Sequence, residues 1–149
     1  MPETAIKPEI RWLIRRDLPE VLEIERENFS VPCSEDEFLA ALRERTTIGL
    51  VAVLDNQVVG YVIYCLEQKE LRIINFVVKK SFQRQGIGTA MINRLKDKLS
   101  KQRRTKLSIL VNERWLGAQL FLRAMDFWVW EKSGINDNGD DIYLMEYLL

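Results

Sequence analysis

Residues 77 to 89 read Val-Val-Lys-Lys-Ser-Phe-Gln-Arg-Gln-Gly-Ile-Gly-Thr, and this is the stretch whose residue types and spacing can do chemistry. An apolar run passes into a loop, and the loop opens a helical pattern. Gly86 and Gly88 let the backbone approach a ligand closely, because no Cβ stands in the way. The first amides of a helix have no internal acceptor and point outward, and the helix dipole adds partial positive charge at the same end. Lys79, Lys80 and Arg84 add formal charge nearby. The combination is an anion site suited to a pyrophosphate. It is not a Walker loop, since no Gly-Lys-Ser/Thr follows at the required spacing. It also lacks the third glycine and the downstream acid of a dinucleotide fingerprint.

Composition narrows what this site can serve. Among 149 residues there is no histidine, which removes the commonest general base and metal ligand and every Ser/His or Cys/His pair. A zinc centre is not expected, nor any other metal. The 22 basic and 22 acidic residues cancel, so no global charge points to nucleic acid. Two cysteines, Cys33 and Cys65, make no disulfide framework and read as reduced thiols of a cytoplasmic protein, small apolar residues rather than acyl carriers. No apolar run approaches membrane-spanning length. The length suits one domain, 1–149, with Met1 to Pro8 a loose tail.

The elements that must position the loop follow from changes of apolar period. Ile10, Trp12 and Ile14 alternate as a first strand. Asp17-Leu18-Pro19-Glu20 starts a helix with a capping carboxylate and inward Leu18, Val21, Leu22 and Ile24. Ser34 to Glu37 is a capping box that opens a second helix with Phe38, Leu39 and Leu42 inward. Ile48–Leu54 and Val58–Leu66 are strands joined by Asp55-Asn56, a tight-hairpin pair. Leu71–Val78 is a strand interrupted by Asn75. Ile87, Met91, Ile92, Leu95 and Leu99 recur at helical spacing. Leu107–Val111 is a strand, and Leu116, Leu120, Phe121 and Ala124 mark a helix. Phe127–Trp130 and Ile142–Leu148 close the chain as strands around a polar stretch, Ser133 to Asp141. Trp115, Trp128 and Trp130 read as core or sheet-face residues, the last two on one face. The order β-α-α-β-β-β-α-β-α-β-β implies a mixed sheet with helices on its faces.

With these elements in place, Gln83-Arg84-Gln85-Gly86-Ile87-Gly88 resembles motif A of the GNAT superfamily of N-acetyltransferases, and the resemblance covers nearly the whole chain from Arg11 onward. It extends to one branch, the bacterial ribosomal-protein alanine N-acetyltransferases. Their patterns are matched by Ile24 to Ser34, with Cys33 in the place of a common Trp, by Ile74-Asn75-Phe76-Val77-Val78, and by Gly139 to Met145. The resemblance implies a GNAT-like α/β fold. That is a mixed, mostly antiparallel twisted sheet of about seven strands with a central parallel splay and about four helices on its faces. It implies acetyl-CoA as cosubstrate, its pantetheine in the splay between Leu71–Val78 and Leu107–Val111. Backbone groups of Phe76, Val77 and Val78 would pair with the pantetheine. Gln83, Arg84, Gln85, Gly86, Ile87, Gly88 and Thr89 would hold the pyrophosphate.

The departures fall where relatives handle protons. Leu110 stands in the place of their Glu base, Trp115 in that of a CoA-contacting Asn, Leu122 in that of their Tyr acid, and Asp126 in that of a helix-capping Gly. Either the base lies elsewhere or the domain is a non-catalytic acyl-CoA-binding module that regulates a partner. A nucleotide-binding domain unrelated to CoA is a third reading. The candidates for acid–base work are Glu27, near the end of the first helix, and Tyr143. Asn75 and Tyr61 are candidates for substrate contact, with Tyr61 and Tyr64 on opposite strand faces. Asp137, Asp140 and Asp141 read as turn residues of a hairpin loop, with an acidic rim for a cationic amine as the lesser reading. Lys96 to Lys106 is a basic run at a helix end, expected to be solvated. The expected reaction is acetyl transfer to a primary amine, a peptide N-terminus or a small amine, by direct attack in a ternary complex. The protein is expected as a monomer or homodimer, with no nucleic-acid or membrane partner.

Overall fold

Each strand expected from the apolar pattern forms, and all join one seven-stranded sheet. The computed structural model describes residues 7–101 and 103–149, so the expected tail lies outside the described residues as far as residue 6. The strands are β1 Glu9–Trp12, β2 Thr47–Leu54, β3 Gln57–Leu66, β4 Glu70–Val78, β5 Lys106–Asn112, β6 Trp128–Ile135 and β7 Asp141–Leu148. The helices are α1 Leu18–Asn28, α2 Glu35–Arg43, α3 Ile87–Lys101 and α4 Leu116–Ala124. Short 3-10 turns at Arg15–Asp17 and Lys80–Phe82 are the only additions to the expected order. The sheet runs β1-β2-β3-β4-β5-β7-β6, and β4–β5 is its one parallel pair. Among the described residues no helix is long and apolar enough to cross a membrane.

Two apolar layers sandwich the sheet. On one face, the α3 stripe of Ile87, Met91, Ile92, Leu95 and Leu99 packs with Leu122 of α4 against Leu50, Val62, Leu71, Leu107 and Met145. On the other, Leu18, Val21, Leu22 and Ile24 of α1 and Phe38 of α2 pack against Val51, Tyr61, Ile63 and Val77. Tyr61 and Tyr64 fall in opposite layers, as strand alternation requires. The β2–β3 hairpin turns through Asp55 and Asn56 at φ 50° and 63°, the left-handed pair of a type I′ turn. Ser34 caps α2 reciprocally: its Oγ accepts from the Glu37 amide at 3.2 Å, and Glu37 Oε1 accepts from the Ser34 amide at 3.1 Å.

Several local readings change in the folded chain. β1 stops at Trp12, and Ile14 instead precedes the first 3-10 turn. Asp17 does not cap α1. Its carboxylate accepts both Nη groups of Arg11, at 2.8 and 2.9 Å, and the Ile14 amide at 2.8 Å, pinning β1 to the helix that follows. α4 buries Leu122 and leaves Leu116 and Leu120 exposed, at 62% and 58%. Trp115, just before α4, and Trp128 and Trp130, on the edge strand β6, are all surface residues. A bulge between Val129 and Glu131 also breaks the alternation that would put Trp128 and Trp130 on one face. The last connection is shorter than the polar composition suggests, with β6 running to Ile135 and β7 starting at Asp141. Lys96 and Lys106 are not merely solvated. Lys96 donates to the Met125 carbonyl at 2.7 Å and lies over the Tyr147 ring, and Lys106 pairs with Glu146 at 2.7 Å.

Burial pushes the Asp17 carboxyl up, but the Arg11 fork and the Ile14 amide outweigh it, so its folded pKa lies below the ordinary carboxylate value. A depressed folded pKa means that this stabilisation is present above the unfolded pKa and is lost as pH falls through the folded one. Asp17→Asn should therefore lower stability by about 2 kcal/mol at neutral pH. In urea unfolding the gap to the parent should narrow only as pH falls below the ordinary carboxylate range, as the parent's own depressed carboxylate becomes protonated.

Candidate active site

The site begins where the parallel pair comes apart. β4 and β5 pair from Glu70–Lys106 to Ile73–Ile109 and no further. At that level β4 carries a bulge against β3: Tyr64 pairs with Ile73 and Ile63 with Asn75, leaving Ile74 out. Beyond it, Asn75 to Val78 stay paired to β3 but have no partner in β5. One edge of the β4 backbone thus faces an opening, and backbone groups so placed need partners from outside the sheet. The Phe76 ring, stacked on Phe121 of α4 with centroids 5.8 Å apart, lines that opening on the α3 and α4 face.

The loop after β4 delivers α3 beside the opening. The first helical bond runs from the Ala90 amide to the Gly86 carbonyl, so the amides of Ile87, Gly88 and Thr89 point out of the helix end. Gly86 has φ +88°, and a Cβ built there meets nothing within 4 Å. Its conformation demands glycine, and the space in front of it is open. A Cβ on Gly88 would come within 3.2 Å of Phe121 and 3.3 Å of Phe76. Ile87 is buried and anchors the turn, while Gln85 and Thr89 are exposed. Gln83 Nε2 donates to the Val78 carbonyl at 3.0 Å, and Arg84 sits at φ 63°. The loop is also held from α1: Glu27 Oε1 accepts from the Lys80 amide at 2.9 Å.

On the α1 side of the opening stands a buried polar cluster. Glu25 accepts from the Tyr61 hydroxyl, from Asn75 Nδ2 at 2.9 Å and from the Cys33 amide at 2.9 Å. One carboxylate thereby joins α1, the α1–α2 connection, β3 and the bulged part of β4. Burial and the adjoining carboxylate push the Tyr61 phenol far up, which keeps it a neutral donor. Asn75 and Tyr61, both expected at the substrate, meet here. Glu25, which draws them together, was not among the candidates. The signal was present: residues 18, 21, 22 and 25 share one helical face, so an acid sits on an otherwise apolar stripe.

A cleft of about 550 Å³ opens between the end of α1, the β5–α4 connection and the β6–β7 turn. Asn28, Asn112, Arg114, Trp115, Asn136 and Asp140 line it. Phe29 and Trp115 meet at 5.8 Å between ring centroids, linking the end of α1 to the start of α4. Asp137 and Asp140 lie in the β6–β7 turn, as their reading as turn residues has it, and the alternative acidic rim does not form. Asp140 is taken by Arg114 at 2.5 Å, and Asp141 by Lys132 at 3.0 Å.

Residues 10–127 match the model of the acetyltransferase (GNAT) family. The chain belongs to the GNAT acetyltransferase family. Over 88 residues it is 35% identical to an uncharacterized N-acetyltransferase of Methanocaldococcus jannaschii, a match that covers 59% of this chain and 56% of that relative's length. The chain thus spans little more than half of the curated relative it matches. Among solved structures, the ribosomal-protein-S18-alanine N-acetyltransferase of Escherichia coli superposes with a TM-score of 0.84 at 22% identity, covering 95% of this chain and 94% of that one. The PaiA N-acetyltransferase of Thermoplasma acidophilum, solved with coenzyme A, gives 0.75 at 18% identity, covering 97% of this chain and 100% of the other. At these identities the superpositions show the GNAT fold.

Within this GNAT domain the remaining candidates are dispersed. Glu27 contacts the Lys80 amide and not the Glu25 cluster. Tyr143 pairs with Val111 and is two residues from buried Met145, so its ring is on the α3 and α4 face of the sheet, opposite the Glu25 cluster; its hydroxyl donates to Asp141 at 3.4 Å. Leu110 is exposed on β5, and Leu122 is buried in the α3–α4 layer. Asp126 ends α4 at φ 70°, the left-handed geometry that suits glycine. Cys33 and Cys65 are half-buried free thiols. Burial, and then the charge of Glu25, push the Cys33 thiol up, so its thiolate is suppressed.

Two expectations follow from this geometry. Valine at Gly86 must enter a left-handed turn, and valine at Gly88 must displace two rings. Either variant should weaken coenzyme A binding at least tenfold, about 1.4 kcal/mol. Calorimetry on folded protein checks this, and unchanged affinity refutes it. Incubation with acetyl-CoA alone should leave the intact mass unchanged. A stoichiometric acetyl adduct on Cys33 or Cys65, discharged by an amine, would show that a thiol carries the acyl group.

Proposed function

We propose that this chain transfers an acetyl group from acetyl-CoA to the amino terminus of a peptide, by direct attack in a ternary complex. The observation that carries the reading is the parting of β4 from β5 at Ile73 and Ile109, flanked by a glycine-turn helix start on one side and an open cleft on the other. The groups available fit the cosubstrate. The unpaired backbone edge of Phe76 to Val78 suits the amides of a pantetheine arm. The amides of Ile87 to Thr89, with Lys79, Lys80 and Arg84, suit a pyrophosphate. Acetyl-CoA supplies the acyl group already activated as a thioester. The α1–β5–β7 cleft suits the acceptor, since it is open, elongated and rich in amide side chains that can bond a peptide backbone. Free, half-buried thiols fit work in the cytoplasm.

The chain's own contribution is placement. Glu25 is the positioning residue: by holding Asn75 and Tyr61 it fixes the bulge that opens the β4 edge toward the thioester. Leu110 offers no base on β5, so the favoured acceptor is an amine that arrives substantially neutral. The contact to Lys80 supports Glu27 as a holder of the pyrophosphate loop. The sheet face of Tyr143 supports a structural role for its ring.

Steady-state kinetics with acetyl-CoA and panels of peptides and small amines test this reading. Peptide α-amino groups should be acetylated, and mass spectrometry should place the acetyl there. Coenzyme A binding without turnover on any amine would favour the non-catalytic module. Glu25→Gln should lower kcat on the order of a hundredfold with little change in coenzyme A affinity and no shift in the pH–rate profile, as expected for placement and not proton transfer. Glu27→Gln should raise the KM for acetyl-CoA and spare kcat. A steep fall in kcat with the loss of a pH–rate limb would make Glu27 the base instead. Tyr143→Phe should keep kcat within a few-fold, and a larger loss would make Tyr143 the acid.

A further inference from the structure

We propose that Arg114 reads a carboxylate in the acceptor, so that the preferred substrate is a peptide with an acidic side chain a few residues behind its reacting amino terminus. The inference rests on reading the α1–β5–β7 cleft as the acceptor side. Among the described residues, Arg114 is the only cationic one lining that cleft, and Asp140 the only anionic one.

The two are not equivalent to an incoming ligand. Asp140 is buried and fully engaged. Oδ1 accepts Arg114 Nε at 2.5 Å, and Oδ2 accepts the amides of Asn112 and Asn136 at 3.3 and 3.4 Å. Its own backbone amide donates to Asn136 Oδ1 at 2.9 Å, which closes the β6–β7 turn around it. Arg114 is anchored at both ends, through Nε to Asp140 and through its backbone amide to Asn112 Oδ1 at 2.8 Å. Its side chain is nonetheless 74% exposed, and among the described residues its two terminal nitrogens have no acceptor. The pair therefore presents to the cleft an oriented guanidinium edge, with the compensating charge tucked behind it. Such an edge matches a carboxylate in two parallel bonds, and its orientation is fixed before the ligand arrives.

The position along the cleft sets what kind of carboxylate fits. Pairing of β4 with β5 ends at Ile109, and Asn112 lies three residues farther along β5, about 10 Å at strand rise. Arg114 follows two residues later. A free amino acid carries its carboxylate one carbon from its amine, too close to span that gap. In an extended peptide the same gap is crossed in about three residues. The ligand class is therefore an acidic side chain near the N-terminus of a peptide.

Calorimetry on the full chain saturated with coenzyme A tests this with short amidated alanine peptides carrying one Glu or one Gln at positions two to five. At one or two adjacent positions Glu should bind about tenfold tighter than Gln, the range of a charge-assisted hydrogen bond. Arg114→Gln should abolish the preference and Arg114→Glu should transfer it to a Lys peptide, each with unchanged coenzyme A affinity as the check on folding. Equal affinity of Glu and Gln peptides at every position overturns the proposal, as does a preference that survives Arg114→Gln. Loss of coenzyme A binding in an Arg114→Gln variant whose circular dichroism and thermal unfolding match the parent would assign the guanidinium to a cofactor phosphate and equally overturn it. Because the readout is binding, failure here is distinct from failure of acetyl transfer. Acidic peptides that bind preferentially but are never acetylated would count against the transferase reading alone.

Discussion

The structure depends on two parallel strands that pair for four residues and then separate. β4 and β5 lie at the centre of the sheet, where a gap in the ladder strands backbone N–H and C=O groups away from water. An unpaired buried amide costs about 1–3 kcal/mol, so a gap several residues long is unfavourable unless something else fills it or holds it open. Each side of the gap has a stop. Toward β3, the bulge at Ile74 reorients the strand. Toward α4, stacked Phe76 and Phe121 occupy the wall. The gap is thus built into the packing of both layers. It leaves a linear array of hydrogen-bonding groups at the mouth of a helix whose first amides are also free, and this is why one extended ligand with an anionic end fits both.

Glu25 explains how the bulge stays where it is. A carboxylate in an apolar helix stripe would be expensive alone, and here three donors from three different elements satisfy it. The consequence runs both ways. The donors make the buried charge tolerable, and the charge fixes the donors, so Asn75 cannot rotate away without leaving Glu25 under-satisfied. Polar networks of this kind specify one arrangement where an apolar contact would permit several. The same carboxylate holds the Cys33 amide, which ties the α1–α2 connection to the centre of the sheet and so couples the edge of the cleft beyond α1 to the β4 edge.

Much of the fold was legible because its causes are local. The left-handed pair Asp55-Asn56, the Ser34–Glu37 box and the 87/91/92/95/99 stripe each state their structure within a few residues. What failed depends on partners distant in sequence. Asp17 looks like a helix cap because it precedes Leu18-Pro19, but Arg11 offers it two charged donors and wins. Leu116 and Leu120 carry a helical period, yet which face of α4 is buried is decided by where Phe76 and α3 lie. Trp128 and Trp130 look like core residues because nothing in their own strand says that β6 is the last one. In the site, the glycine turn that opens α3 was legible as structure because it is one continuous segment. The Glu25–Tyr61–Asn75 cluster was only half legible, since its members are brought together from 14 to 50 positions apart.

If the proposed reaction is right, an apolar Leu110 at the position where the family resemblance implies a base constrains the acceptor in a way that does not depend on finding a substitute. Attack on a thioester needs a neutral amine. At pH 7 an α-amino group of pKa about 7.8 is roughly one-seventh neutral, whereas a lysine amine of pKa about 10.4 is neutral in roughly one molecule in 2,500. A strong base can erase much of that difference, and a site that relies on placement cannot. On the proposed reading, a β5 strand without a carboxylate would bias this domain, by some hundreds-fold, toward peptide amino termini over side-chain or polyamine nitrogens. The Arg114–Asp140 edge extends the same logic along the cleft. On that reading, a site with little power over protons gains its selectivity from where it holds the rest of the acceptor, and the Arg114 guanidinium, carried beyond Asn112, acts on a residue behind the reacting amine.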